Sequence, residues 1–227
     1  MLRIGHRGAA AHEPENTMRS FRKAVELGVD MIEFDVRVCG TGEVVAIHDE
    51  TVERTTDGSG RVSDLGLDEL RRLDAGSGER IPLLKEVMDE FLGMVGLNME
   101  IKGQGTALPV AELVCKYIKD RPVKEEAIIF SSFLPGELFD LKGALEDVPV
   151  GFLFEDHPLL GLDFASELGA GYVLPRYDLV DEELMENSRA SGQKMIVWTV
   201  NEEASILRMR GLGVDGMITD RPELLKL

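Results

Sequence analysis

The chain has 227 residues and a formal net charge of −17, because 42 acidic residues outnumber 25 basic ones. Hydrophobic residues make up 44% of it, which is typical of a globular protein that buries a full core. A surface this acidic repels nucleic-acid phosphates and anionic lipid heads. We therefore expect no nucleic-acid partner, and an anionic substrate would need a local basic site.

No apolar run approaches the ~18 residues of a membrane span, and the first predicted strand begins at Leu2, which leaves no room for a signal peptide. We expect a cytoplasmic protein with no membrane insertion. The two cysteines, Cys39 and Cys115, lack the spacing of a metal site. Reduced structural thiols are therefore favoured over a disulfide or a catalytic role.

Short β-rich segments recur along the chain, and most are followed by a segment of helical periodicity. This alternation is typical of a parallel sheet covered by helices. In the first helical segment, residues 15–28, Asn16 and Thr17 are candidate caps and Gly28 a candidate stop. The nine predicted strands are 2–6, 31–36, 44–48, 97–102, 127–131, 150–154, 172–174, 194–200 and 216–219.

One pair of neighbouring strands breaks the parallel pattern. Only RVCGTGE separates the second predicted strand from the third, whereas a parallel crossover needs about a dozen residues. The third strand must return antiparallel, through a hairpin that turns at Gly40–Gly42. Eight parallel strands remain, the number that closes a (β/α)₈ TIM barrel. We predict one such domain over 1–227, with residues 49–96, including a helix near 83–92, as a cap over the active-site face.

Three carboxylates are predicted to converge at the C-terminal ends of two strands. Residues two apart on a strand share a face, so Glu33 lies beside Asp35, and Glu100 beside Lys102. Barrel enzymes build their active sites at these strand ends. Three neighbouring carboxylates repel one another unless a cation compensates them. Oxygen ligands favour one hard divalent cation, Mg²⁺ or Ca²⁺ with Mn²⁺ as a further option, over zinc.

Two histidines are predicted to reach the same rim. His6 ends the first strand, with Arg7 beside it, and the hairpin returns His48. Imidazoles titrate near pH ~6.5 and are suited to proton transfer. Arg7 and Lys102 supply fixed positive charge for phosphate oxygens. This set predicts general acid and base catalysis on a phosphate ester.

A series of ordered motifs extends from the first predicted strand to the last: HRG (6–8), PENT (14–17), E-x-D (33–35), HD (48–49), EIK (100–102), SF (132–133), WTVN (198–201) and GVDGMITDRP (213–222). Together they resemble the glycerophosphodiester phosphodiesterases, metal-dependent members of the phosphatidylinositol-specific phospholipase C-like superfamily. The resemblance implies a (β/α)₈ barrel and one bound divalent cation. It also implies hydrolysis of small glycerophosphodiesters, the deacylated phospholipid head groups, to sn-glycerol 3-phosphate and an alcohol.

Carried onto this sequence, the resemblance assigns His6 and His48 as the acid/base pair, Arg7 and Lys102 as phosphate binders, Glu33, Asp35 and Glu100 as metal ligands, and Trp198 as a pocket residue. A structural role for Trp198 stays equally open, since Ile196 shares its face. Ser132 and Phe133 are expected to pack or to play a minor pocket role. Arg189 and the IPLL segment at 81–84 depart from the family pattern, which affects only substrate preference and packing.

Two other functions are compatible with the fold. A non-catalytic binding protein would keep the pocket but has no need for two imidazoles. A phospholipase acting on intact lipid would need an apolar rim or an amphipathic insertion, and residues 49–96 contain no strong candidate. The head-group alcohol, the choice of metal, the division of roles between the histidines and the oligomeric state stay open.

Overall fold

The computed structural model describes residues 1–120, 127–145 and 148–226. The strands are β1 (Leu2–Gly5), β2 (Met31–Val38), β3 (Val44–Ala46), β4 (Gly96–Ile101), β5 (Ile128–Ser132), β6 (Val150–Phe154), β7 (Tyr172–Pro175), β8 (Lys194–Val197) and β9 (Gly216–Thr219). The α-helices are α1 (Met18–Glu26), α2 (Leu67–Leu70), α3 (Leu84–Phe91), α4 (Ala107–Asp120), α5 (Pro135–Ala144), α6 (Pro158–Leu168), α7 (Glu182–Ala190) and α8 (Glu203–Leu212).

Eight of the strands form a closed parallel ring. The order is β1-β9-β8-β7-β6-β5-β4-β2, and β1 also pairs with β2, which completes the circle. β3 lies outside the ring and pairs antiparallel with β2, with Val38 opposite Val44. The barrel and the hairpin predicted from the sequence are both confirmed.

Side-chain alternation divides the apolar residues of the barrel into two layers. One cluster fills the barrel interior, and a larger one lies between the strands and the surrounding helices. The interior cluster consists of Ile4, Met31, Ile129, Leu153, Tyr172, Leu174, Ile196 and Ile218. Apolar residues therefore fill the barrel below the polar rim, and ligands are confined to its C-terminal mouth.

The two adjacent polar residues before α1, Asn16 and Thr17, make different hydrogen bonds. Thr17 is the N-cap, and its side chain accepts a hydrogen bond from Ser20 N at 3.2 Å. Asn16, the other predicted cap, has a left-handed backbone (φ 55°) and donates to Asp35 Oδ2 at 2.8 Å. The helix ends before Gly28, whose φ of 79° suits glycine. The predicted helix is confirmed, and Asn16 belongs to the functional site.

The predicted cap, residues 49–96, divides into two parts. Apolar side chains from residues 52–81 form a small cluster together with Val45 and Ile47, at the hairpin strand β3. Helix α3, by contrast, packs Leu84, Val87 and Met88 into the outer layer of the barrel. The predicted helix near 83–92 is therefore present, and it serves as one of the barrel helices.

Two predicted strands end two or three residues earlier than expected. Strand β8 ends at Val197 and β3 at Ala46, whereas residues up to 200 and 48 were predicted. Both ends lie at the mouth, where the chain turns to present Trp198 and His48 and the regular ladder stops. Cys39 and Cys115 are both free cysteines. Among the described residues, no helix combines the length and apolarity that crossing a membrane requires.

Candidate active site

The three predicted carboxylates meet at the mouth of the barrel. Glu33 and Asp35 lie on β2, and Glu100 lies on β4 directly opposite Asp35 in the register of the two strands. All three are buried, at 2%, 0% and 8% exposure respectively. One oxygen from each lies within 4.8 Å of the others. Parallel pairing thus places three oxygen donors at one point.

Burial and neighbouring charges give the three carboxylates different pKa values. Burial, reinforced by the charge of Asp35, raises the pKa of Glu33 to about 7 and that of Glu100 to about 8. Burial also acts on Asp35, but the positive charges of Arg7 and Lys102 outweigh it and lower the pKa of Asp35. Asp35 is therefore the ionised centre of the group.

The donor set fits a hard divalent cation. Buried Glu33 Oε1 and Asp35 Oδ1 accept no hydrogen bond from the described residues. Such unmet acceptors are uncommon in folded proteins unless a ligand or water engages them. Three carboxylates face two fixed cations, Arg7 and Lys102, so one negative charge remains when all are ionised. An all-oxygen site of this charge could hold Mg²⁺, Ca²⁺ or Mn²⁺.

Lys102, a predicted phosphate binder, lies against the carboxylates. Its Nζ pairs with Glu100 and is 3.5 Å from Asp35 Oδ1. The ammonium is also 5.5 Å from the centre of the Phe133 ring. Its side chain is 15% exposed, which leaves a narrow face toward the mouth. Lys102 thus compensates the acidic group and borders the space above it.

His6 is held by a carboxylate at one ring nitrogen and faces the acidic group with the other. Its Nδ1 is 2.6 Å from Asp220 Oδ1, and its Nε2 is 4.0 Å from Glu33 Oε2. Burial lowers the pKa of His6, but the hydrogen bond to Asp220 and the charge of Glu33 outweigh it, so the pKa is raised. This environment favours the imidazolium form.

His48 has the same type of partner and the opposite shift. Its Nδ1 is 2.5 Å from Oδ1 of Asp49, the next residue. Burial lowers the pKa of His48, and the opposing effects of the Asp35 charge and of the hydrogen bond to Asp49 do not restore it. The neutral imidazole is therefore favoured, and the carboxylate at Nδ1 selects the tautomer that leaves Nε2 as the basic nitrogen.

Arg7 links the backbone of the first loop to the carboxylates. Its φ of 50° is left-handed, and its N–H donates to Glu33 Oε2 at 2.9 Å. Its guanidinium donates to Glu15 Oε1 at 2.7 Å and lies 3.2 Å from Asp35 Oδ2. Gly8 continues the turn at φ 91°, with a Cβ position that would lie 2.4 Å from Ser20 Oγ. Glycine after Arg7 is therefore a steric requirement.

Trp198 caps the interior apolar cluster at the mouth. Its indole N–H donates to Leu174 O at 2.8 Å, and its ring meets that of Phe133 edge-to-face at 5.4 Å between centroids. Ser132 is turned inward, where its hydroxyl donates to Ile101 O at 2.8 Å. Phe133 and Trp198 thus form an aromatic wall beside Lys102, and Ser132 supports the backbone.

Several residues of the site received no functional role from the sequence, although Asn16 was a candidate helix cap. They hold the predicted groups through hydrogen bonds, and each lies within or beside a motif noted above. The side chain of Asn201, for example, donates to Asp220 Oδ2 at 2.5 Å, behind His6. Chain position beside a motif was the signal that could have found them. These supporting residues are Glu15, Asn16, Asp49, Asn201 and Asp220.

A cavity of about 570 Å³ opens beside this group of residues. Its lining includes His6, Arg7, Glu15, Asn201 and Asp220. Its volume is in the range of small-molecule sites. The cavity therefore gives a small polar ligand access to the His6 side of the mouth.

Comparison with known proteins places the chain in a family. The model of the glycerophosphoryl diester phosphodiesterase family matches residues 6–224. The glycerophosphodiester phosphodiesterase of Caldanaerobacter subterraneus subsp. tengcongensis is 40% identical over 237 residues, covering 99% of this chain and 96% of the relative. A human protein named lysophospholipase D is 30% identical over 268 residues, covering 98% of this chain and 84% of the relative.

A solved structure agrees with these sequence matches. An Oleispira antarctica phosphodiesterase, in complex with the product sn-glycerol-3-phosphate, has a TM-score of 0.89 and 29% identity to this chain. The match covers 98% of this chain and 94% of the other. Fold and sequence thus agree over nearly the whole length, and the chain belongs to the glycerophosphoryl diester phosphodiesterase family and is a phosphodiester hydrolase.

Proposed function

We propose that the protein hydrolyses small glycerophosphodiesters to sn-glycerol 3-phosphate and an alcohol in a metal-dependent reaction. The observation that carries this is the arrangement of two carboxylate-held histidines around one acidic group. The product named in the Oleispira antarctica structure supports the choice of substrate. Glu33, Asp35 and Glu100 would hold the cation, and Arg7 and Lys102 would contact the phosphate.

The reaction exchanges one phosphorus–oxygen bond for another. A water oxygen, or first the 2-hydroxyl of glycerol, bonds to phosphorus as the bond to the alcohol oxygen breaks. One histidine accepts the proton of the attacking oxygen, and the other donates a proton to the departing alcohol. The overall change adds one water and yields the monoester and the alcohol.

We assign His48 as the base and His6 as the acid. The lowered pKa of His48 keeps its imidazole neutral and able to accept a proton. The raised pKa of His6 keeps a proton available for the leaving oxygen. In each ring the carboxylate at Nδ1 holds the imidazole in orientation, so that Nε2 is the atom that exchanges the proton.

Charge neutralisation supplies the rest of the rate enhancement. The phosphorane-like transition state carries more negative charge than the diester, and Arg7 gains in interaction with it as that charge grows. A cation held by Glu33, Asp35 and Glu100 would supply Lewis-acid polarisation of the phosphate oxygens. Trp198 and Phe133 exclude water from one side of the mouth, which strengthens these interactions.

A panel assay tests this proposal. Glycerophosphocholine, glycerophosphoethanolamine and glycerophosphoglycerol are incubated with the protein in Mg²⁺, Ca²⁺, Mn²⁺ or EDTA, and sn-glycerol 3-phosphate is measured. We expect hydrolysis with at least one metal and loss of activity in EDTA that added metal restores. Full activity after exhaustive chelation would show that the acidic group has another purpose. Binding without turnover of any diester would favour a non-catalytic binding protein.

Lysophospholipids form a second candidate substrate class, which a specific observation favours. Five large apolar side chains are 51–72% exposed within the first two turns of α4, α5 and α6. In a barrel these helix ends follow the strand ends that surround the mouth. The human relative carries the name lysophospholipase D. The five side chains are Leu108, Phe139, Leu159, Leu160 and Phe164.

The two substrate classes are distinguished by direct competition. Choline release from lysophosphatidylcholine is compared with release from glycerophosphocholine at equal concentrations below the micellar limit. A higher kcat/KM for the lysolipid, reduced by Phe139→Ser, would identify the acylated substrate as preferred. A higher value for glycerophosphocholine, unchanged by Phe139→Ser, would retain the small diester.

A further inference from the structure

One arginine beyond the predicted set contacts two carboxylates of the site at once. Arg54, in the segment after β3, donates from Nε to Asp49 Oδ2 at 2.6 Å and from Nη2 to Asp49 Oδ1 at 3.0 Å. The same guanidinium donates from Nη1 to Glu15 Oε2 and from Nη2 to Glu15 Oε1, both at 2.8 Å. Each of the two carboxylates therefore accepts two hydrogen bonds from the planar guanidinium of Arg54.

Each of these carboxylates also holds a residue of the proposed mechanism. Asp49 Oδ1 lies 2.5 Å from His48 Nδ1. Glu15 Oε1 accepts from Arg7 Nη1 at 2.7 Å. Arg54 is thus connected through Asp49 to the proposed base, His48, and through Glu15 to the proposed phosphate binder, Arg7.

Glu15 and Asp49 come from separate parts of the chain. Glu15 precedes α1, whereas Asp49 follows the hairpin strand β3. Two carboxylates held side by side repel each other unless a cation lies between them. Arg54 is the cation that hydrogen-bonds to both, and its planar fork sets the distance and the angle between them.

We propose that Arg54 is a positioning residue that couples His48 and Arg7 through Asp49 and Glu15. The inference rests on the proposed function, in which His48 and Arg7 act on the phosphate. Arg54 keeps the imidazole of His48 and the guanidinium of Arg7 in the relative geometry that one bound phosphate requires. A misplacement of catalytic groups by about 1 Å can cost on the order of 100-fold in rate.

The exposure of the Arg54 ion pairs allows a positioning role to be distinguished from a contribution to stability. The Arg54 side chain is 47% exposed, and those of Glu15 and Asp49 are 21% and 28% exposed. Their exposure limits what these ion pairs contribute to folding, and the bidentate geometry places that contribution at the upper end of the range for surface pairs. The loss of Arg54 should therefore appear chiefly in turnover, while the melting temperature falls by about 2–4 °C.

Arg61 provides the matched control. It belongs to the same segment and donates to Glu50 Oε2 at 2.9 Å, in a pair whose side chains are 61% and 64% exposed. Neither Arg61 nor Glu50 is hydrogen-bonded to a proposed catalytic residue. Arg61→Ala removes the same charge from the same part of the surface.

The experiment measures kcat, KM and melting temperature for Arg54→Ala, Arg54→Lys and Arg61→Ala with glycerophosphocholine and saturating metal. We expect Arg54→Ala to lower kcat by about 10- to 100-fold. Arg54→Lys, which keeps the charge and loses the fork, should recover only part of that loss. Arg61→Ala should match the wild type. Wild-type kcat in Arg54→Ala would overturn the proposal, as would full recovery in Arg54→Lys.

A double-mutant cycle with His48 tests the coupling itself. If Arg54 acts through His48 and Arg7, adding Arg54→Ala to His48→Ala should cost less than it does in the wild type. Full additivity would show that Arg54 acts elsewhere. The single variant His48→Ala tests the proposed function separately. Near-wild-type turnover of His48→Ala would refute the acid/base assignment, whereas an inactive His48→Ala beside a fully active Arg54→Ala would refute only the positioning role.

Discussion

Metal binding should release protons and strengthen as the pH rises. With a pKa of about 7 for Glu33 and about 8 for Glu100, both groups are largely protonated at pH 6 in the metal-free protein. Asp35, whose pKa is lowered, is already ionised there. A cation binds carboxylates, so it must displace the protons of both glutamates.

These pKa values set the size of the effect. At pH 6, protonation weakens binding by about 10-fold through Glu33 and about 100-fold through Glu100, while at pH 9 both penalties are small. The apparent dissociation constant should therefore fall by about 10³-fold between pH 6 and pH 9, which corresponds to ~4 kcal/mol. Near pH 6, the slope of the logarithm of the apparent dissociation constant against pH should approach two protons released per metal ion.

Isothermal titration calorimetry of the metal-free protein with Mn²⁺ or Ca²⁺ measures both quantities. Repeating the titration in buffers of different ionisation enthalpy counts the protons released. Glu100→Gln should bind more weakly and release at most one proton, whereas Glu137→Gln, which alters a buried carboxylate that caps α4, should leave the proton count unchanged. An affinity that does not vary with pH, or binding without proton release, would refute the reasoning.

The same protons affect folding of the metal-free protein. A carboxyl whose folded-state pKa lies above its unfolded value favours the folded state while it is protonated, and that contribution is lost as the pH rises through the folded pKa. The folded-state pKa values of Glu33 and Glu100 are both raised, so both groups contribute in this direction. We expect the melting temperature of the metal-free protein to fall between pH 6 and pH 9 and added metal to restore it. A melting temperature that rises over this interval would contradict the shifts.

His6→Ala and His48→Ala should each lower kcat by about 100-fold or more, and a p-nitrophenyl phosphodiester, whose leaving group needs no proton, should rescue only His6→Ala. Equal rescue of both variants would contradict the division between acid and base. Arg7→Ala should reduce kcat more than it raises KM, since the transition state carries the greater charge; steady-state kinetics would contradict this if only KM changed. Gly8→Ala should lower the free energy of unfolding by about 2 kcal/mol or more, because φ is 91° and the new Cβ would meet Ser20. A urea denaturation midpoint equal to that of the wild type would show that this turn is not strained.

Local sequence patterns determined the barrel and the main functional groups. Alternation of short strands and helices and one crossover too short to be parallel gave the eight-stranded ring and the hairpin strand outside it. Side-chain alternation placed Glu33 beside Asp35, and Glu100 beside Lys102, each pair on one face of its strand. These features depend on distances along the chain, which a sequence carries directly.

The partners of those groups depended on tertiary structure. Asp220 meets His6 across 214 residues, and Arg54 meets Glu15 across 39, so no local pattern pairs them. Lys102 was expected on the phosphate, and only the packed mouth shows it compensating Glu100. Protonation was likewise decided there, because burial and neighbouring charge, rather than residue type, set the pKa of each carboxyl and imidazole. The sequence by itself determined which chemical groups reach the mouth of the barrel, and the fold decided which of them touch and which carry a proton.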